Sequence, residues 1–179
     1  MAEFLWIFWS FSLLGWGLER LFAAVTRSPQ RRRRCLLLLP LCPVYGLGMA
    51  AVLALPPSLR SGWPLYLWGG LTATSVEYIY HWWGETFLSV SFWDYTGVFG
   101  NLRGRVCLPF SLAWGLLLFP AVYLVTPPVL ALADRVPVGV TWWLLLAFTA
   151  DAVCSLRFLA VTHDLEALRA VIWPVSADR

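Results

Sequence analysis

The sequence predicts an all-α fold, a polytopic bundle of about five transmembrane helices in a single domain over residues 1–179, and three observations carry that expectation. Hydrophobic residues make up 60% of the chain and charged residues 13%, with a mean hydropathy of +0.70, more apolar than ordinary soluble domains. The apolar residues fall in long blocks, and tryptophans gather near the ends of those blocks, as they do at membrane–water interfaces. Crossing roughly 30 Å of hydrocarbon takes about 20 helical residues. The blocks that meet this length lie at about 3–25, 36–56, 64–83, 107–127 and 138–160.

The first block resembles a secretion signal only in being apolar. It carries Glu3 and no base ahead of its apolar run, and nothing after it resembles a small-residue cleavage site, so it is expected to be retained. Arg27 and Arg31 to Arg34 follow it. The loop after the second block has only Arg60 and the loop after the fourth only Arg135. By the positive-inside rule the N-terminus is expected outside, with the first loop, the third loop and the C-terminus in the cytoplasm. Trp6, Trp9, Trp63, Trp68, Trp142 and Trp143 then fall at the outer interface, and Trp82, Trp83 and Trp93 at the inner one.

Between the third and fourth blocks lies the cytoplasmic loop 84–106, whose run from Phe92 to Cys107 combines aromatics and glycines with Asp94, Asn101, Arg103 and Arg105. It is the most polar internal segment, and the first place to look for function. Charged residues inside the spans are the second place, because each costs about 2.5–3.5 kcal/mol at the bilayer centre on the insertion scale. Counting about 1.5 Å per residue puts Glu19, Glu77 and Asp151 roughly 20–24 Å deep, at one level in the cytoplasmic half. Arg157 lies near the same interface, with His81 and His163 at inner helix ends. The candidate ligand-binding or coupling set is therefore Glu19, Glu77, Asp94, Asn101, Arg103, Arg105, Asp151 and Arg157. It can form a polar cavity open to the cytoplasm, or ion pairs that only hold helices together; Arg20 is expected to reach the interface.

Other chemistries find little support. All thirteen basic residues are arginine, which excludes a lysine Schiff base and a Walker A lysine, and the P-loop glycine pattern is missing. If ATP drives this protein, another chain binds it. The arginine run beside a span reads as a topology signal that attracts anionic membrane lipids, with no nucleic-acid partner. Cys35, Cys42, Cys107 and Cys154 contain no C-x-x-C pair and three lie toward the reducing side, so free, small buried thiols are expected. Two histidines near helix ends do not make a metal or haem site, and no cofactor is expected. Ser75 lies two residues from Glu77 with no histidine at a meaningful spacing, so no Ser-His-Asp arrangement is legible. A carboxylate dyad of Glu77 and Asp94 has the chemistry for acid–base work but no spacing to support it.

A faint echo links the even blocks. Pro40, Tyr45 and Gly46 in the second match Pro109, Trp114 and Gly115 in the fourth, and each block follows one that carries a glutamate, Glu19 or Glu77. Two parallel hairpins plus a fifth helix would explain this. So would the ordinary frequency of proline and glycine in transmembrane helices.

Leu14-Gly15-Trp16 with Glu19, the run Pro40 to Gly48, Ser75-Val76-Glu77-Tyr78, Trp93-Asp94-Tyr95, the run Asn101 to Leu108, and Trp114-Gly115 together resemble a known family. It is the CmpB-like family of small bacterial membrane proteins described as ABC-transporter type IV permeases. The resemblance covers roughly residues 10 to 120 in the right order, with Leu39 and Gly100 standing where that family usually has glycine and phenylalanine. The fifth block and the tail carry no resemblance. It implies a permease subunit in the cytoplasmic (inner) membrane, crossing it several times, with a separate ATPase subunit, membrane lipids and a further copy of the chain as partners. The order of readings is a transport subunit, then a structural or regulatory membrane protein, then an intramembrane enzyme acting on a lipid.

Overall fold

In the computed structural model, residues 1–26 and 35–170 are described, without the side chains of residues 169 and 170. Arg27 and Arg31 to Arg34 lie outside the described residues, as does the end of the chain. What is described is all helical, with one isolated bridge between Leu102 and Val106 and no strand. The helices are α1 (Ala2–Thr26), α2 (Pro43–Leu53), α3 (62–88), α4 (Leu108–Arg135), α5 (Val138–Thr162) and the short α6 (Leu165–Ala170).

Length and apolarity single out α4 and α5 as able to cross a membrane. Their most apolar windows are only 22% and 11% buried inside the protein. A core helix of a soluble domain would bury most of such a window, so these faces are built for lipid. α1 and α3 are comparably long, but tryptophan, tyrosine, histidine and the glutamates lower their hydropathy. α2 is shorter than its apolar block. The expected span over 36–56 is helical for only eleven residues, because Pro40 and Pro43 cannot donate backbone bonds and the chain before Pro43 bends instead.

That bend overturns one expectation. Leu41 N–H reaches the Leu39 carbonyl at 2.6 Å, and the turn brings Cys35 and Cys42 into a disulfide with Cα atoms 5.0 Å apart. Two thiols seven residues apart meet only if the intervening chain folds back, a geometry that spacing alone does not reveal. Cys107 is buried and outside any disulfide, whereas Cys154, also outside one, is exposed.

Proline and π-type turns shape the long helices. Pro120 sits inside α4 and is followed by a π-turn over Ala121–Val125. Pro127 and Pro128 have no N–H to give the preceding turn, and the Thr126 hydroxyl donates to the Ala121 carbonyl at 2.8 Å. Similar turns occupy Leu65–Gly69 and Gly84–Leu88 in α3.

Glycines set the closest approaches. A Cβ at Gly46 would overlap Ser12 and Phe8 of α1, and one at Gly115 would meet Tyr66 of α3, whose Gly70 lies against Gly115 Cα. Ser12 and Phe8 stand seven and eleven residues before Glu19; Gly70 and Tyr66 stand seven and eleven before Glu77. The α1–α2 and α3–α4 hairpins thus share one packing register, which the proline and glycine echo between the even blocks only hinted at.

Two apolar clusters result. Ile7, Phe11, Met49, Val52, Leu65 and Leu118 fill one. The other gathers Phe92, Trp93 and Tyr95 of the 89–107 loop with Leu37, Leu88, Leu159, Leu165 and Leu168. The loop is therefore a packed cover. His163 ends α5 in a left-handed conformation, φ 52°, and its Nδ1–H donates to the Leu88 carbonyl at 2.7 Å, tying α5 to the end of α3.

Candidate functional site

The residues that meet at the centre of the molecule come from α1, α2, α3, α4 and the 89–107 loop. Glu77, on the inward face of α3, is 1% exposed. Trp114 of α4 donates its indole N–H to Oε2 at 2.7 Å, and the Tyr95 hydroxyl from the loop donates to Oε1 at 3.2 Å. Glu19 of α1 accepts a short hydrogen bond from the Tyr45 hydroxyl of α2. The Tyr45 and Trp114 rings pack with centroids 5.0 Å apart, so the two carboxylates are joined through Glu19, Tyr45, Trp114 and Glu77. Gly15 makes this possible, since a Cβ there would overlap the Tyr45 ring.

A cavity of about 500 Å³ opens beside this chain, with Glu19, Tyr45, Asp94, Tyr95 and Trp114 in its wall. Asp94 is exposed at the loop. The Thr96 hydroxyl and then its N–H, which donates to Oδ1 at 2.8 Å, hold the Asp94 carboxyl below the ordinary range. Gly104 stands opposite with φ 70°; a Cβ there would come within 2.8 Å of Asp94 Oδ1. Tyr95 N–H bonds to the Gly104 carbonyl at 2.8 Å, which fixes the Asp94–Tyr95 pair against the turn.

The remaining candidates do other work. Asn101 closes the loop on itself, donating to the Val98 carbonyl at 3.0 Å and accepting from Gly104 N–H at 3.3 Å. Arg105 faces away from the cavity: its Nε donates to Glu85 Oε2 at 2.7 Å and its Nη1 to the Tyr78 hydroxyl at 2.8 Å, with the guanidinium 5.1 Å from the Tyr78 ring centroid. Asp151 accepts the N–H groups of Leu38 and Leu39, each at 3.1 Å, and the Ser155 hydroxyl. It anchors the bend that carries the disulfide. Arg103 is exposed in left-handed backbone, φ 55°, and Arg157 is exposed on α5; neither joins the cluster. Arg20 lies over the Trp16 ring, 4.9 Å from its centroid. Depth placed Glu19, Glu77 and Asp151 at one level, but Asp151 serves a different partner.

Sequence reading missed Glu85, although it stands four residues after His81, a spacing that brings side chains together on a helix. His81 Nε2 lies 3.1 Å from Glu85 Oε1 and 3.3 Å from Ser91 Oγ, while the buried Nδ1 has no partner. A catalytic triad needs the acid and the hydroxyl on opposite ring nitrogens. Here both share one nitrogen, and the Ser91 hydroxyl donates to the Trp93 carbonyl at 2.9 Å, so the trio is wired as a structural link. Among the described residues no group of three His, Cys, Asp or Glu side chains is arranged to hold a metal ion.

Lipid-facing helices around a carboxylate pair and a cavity define a helical membrane protein with a polar centre. The chain belongs to the family described as "Putative ABC-transporter type IV", whose model matches residues 6–156. The match runs past the motifs and into α5 beyond Asp151. No curated relative and no solved structure matches the chain. Membership gives a transport-related family and a membrane setting.

Proposed function

We propose that this chain is the membrane-embedded permease subunit of an ABC transporter in the cytoplasmic membrane, crossing it as about five spans with the N-terminus outside. The observation that carries the reading is a cavity of about 500 Å³ walled by Glu19, Tyr45 and Trp114, with Trp114 linking that wall to the buried Glu77 behind it. That volume is in the range of small-molecule sites, and intramembrane carboxylates at such a place commonly mark a substrate path. With no lysine in the chain, ATP hydrolysis belongs to a separate subunit. The packed 89–107 loop is the internal element suited to meet it, because Tyr95 connects that loop directly to Glu77.

A specific observation favours a second reading, a structural or regulatory membrane protein: Asp151, Asn101 and Arg105 satisfy neighbours within the fold. The two part in one experiment. Tagged protein is recovered in mild detergent, and ATP hydrolysis by whatever subunit accompanies it is compared for wild type and Glu19→Gln. A rate that falls in the variant at equal protein yield supports transport; equal rates, or no hydrolysis with either, support the structural role. The intramembrane enzyme reading gains nothing from the His81, Glu85 and Ser91 wiring.

A further inference from the structure

The cavity beside Glu19 continues into a second space. About 290 Å³ in volume, it shares Leu18, Tyr45, Trp114 and Leu117 with the first and runs on past Phe11, Met49, Ala121 and Val125. Beyond the shared tyrosine and tryptophan its wall is entirely apolar. The two spaces form one trough with the carboxylates of Glu19 and Asp94 at one end and hydrocarbon at the other. Leu14, Leu18 and Leu117 line it and are also exposed, so the trough opens sideways onto the lipid-facing surface.

The shared hairpin register makes Glu19–Tyr45 and Glu77–Trp114 counterparts, and their surroundings differ. Glu77 is sealed at 1% exposure between Trp114 and Tyr95. Glu19 is only partly buried and forms cavity wall. A glutamate bonded across each hairpin suffices to hold the helices; the adjoining cavity is what the Glu19 half adds.

We propose that this trough binds a single-chain amphiphile, its hydrocarbon tail along α1, α2 and α4 and a cationic, hydrogen-bond-donating head at Glu19 and Asp94. Segregated walls select such a molecule: an anionic head would meet two carboxylates, and a wholly polar solute would leave the apolar arm empty. The inference rests on the transport reading's location of the ligand at the cluster, and names the substrate class for it.

Purified protein in phosphatidylcholine nanodiscs is titrated with tritiated dodecylamine, and bound label is competed with unlabelled dodecylamine or dodecyl sulfate. Expected is saturable binding that the amine displaces and the sulfate does not, weakened roughly tenfold by Glu19→Gln and by Asp94→Asn. Leu117→Trp, which fills the junction of the two spaces, abolishes it. Asp94 stands on an exposed loop, so its variant reports even if the Glu19 variant fails to fold. Absence of saturable binding, equal competition by the sulfate, indifference to both carboxylate variants and to Leu117→Trp, or a cross-linked dimer with α1 of a second copy in the trough would overturn the proposal. Amine binding without any effect on ATP hydrolysis would sink the transport reading alone, and hydrolysis sensitive to Glu19 without amine binding would sink this one alone.

Discussion

Glu77 is buried between two donors, and its chemistry there is that of an acceptor: the Trp114 indole and the Tyr95 hydroxyl each point a hydrogen at one oxygen. Replacing it with glutamine turns one of those acceptors into a donor facing a donor. The expected cost is about 1–3 kcal/mol, read as a lowered midpoint in thermal unfolding in detergent; an unchanged midpoint would mean that the two bonds do not matter. Asp94 gives a pH test of the loop. Its carboxyl is held low by Thr96, so its contribution is present above the ordinary carboxylate range and is lost as pH falls through the depressed value. Wild type is therefore expected to outlast Asp94→Asn at neutral pH and to lose that advantage only in acid, and an advantage that grows on acidification would contradict this. Glu19 and Asp94 stand in one cavity wall and Glu77 is buried behind Tyr95 and Trp114; the sequence singles these three out because charge amid apolar residues is conspicuous. It could not separate Asp151 from them. Depth along a helix is readable from numbering, but the direction in which the helix turns its side chain depends on the backbone it meets, here the N–H groups of Leu38 and Leu39.

At the scale of elements, the 89–107 loop behaves as folded structure. Phe92 is fully buried and packs on Gly84 of α3, while Trp93 donates its indole N–H to the Arg105 carbonyl at 2.7 Å. Gly104→Ala places a side chain at φ 70° against Asp94 and is expected to cost roughly 1–2 kcal/mol, detectable as earlier proteolysis within the loop; unaltered cleavage would show that the turn tolerates a Cβ. A second expectation concerns the bend before α2. Non-reducing peptide mapping should recover Cys35 and Cys42 linked in one mass, and two free thiols there would contradict the structure. The helical class was legible because apolar blocks are a matter of composition. The short α2 was less so, since apolarity continues through 36–42 while Pro40 and Pro43 break the helix. Glu85 was passed over because a charge just beyond an apolar block looks like ordinary solvated surface until Arg105 and His81 are seen to meet it.

For the whole molecule, the two hairpins pack in one register and meet through Tyr45 and Trp114, with the loop covering one half and the trough opening beside the other. This arrangement brings Glu19, Tyr45, Glu77, Tyr95 and Trp114 to a single centre. Family membership supplies the transport setting. The most direct measurement is ATP hydrolysis by the subunit recovered with this chain, reconstituted in nanodiscs with wild type, Glu19→Gln or Tyr45→Phe. Wild type is expected to raise the rate, and both variants to lower that stimulation while the complex is recovered in equal amount. A rate indifferent to the chain, or equal for all three, would contradict this.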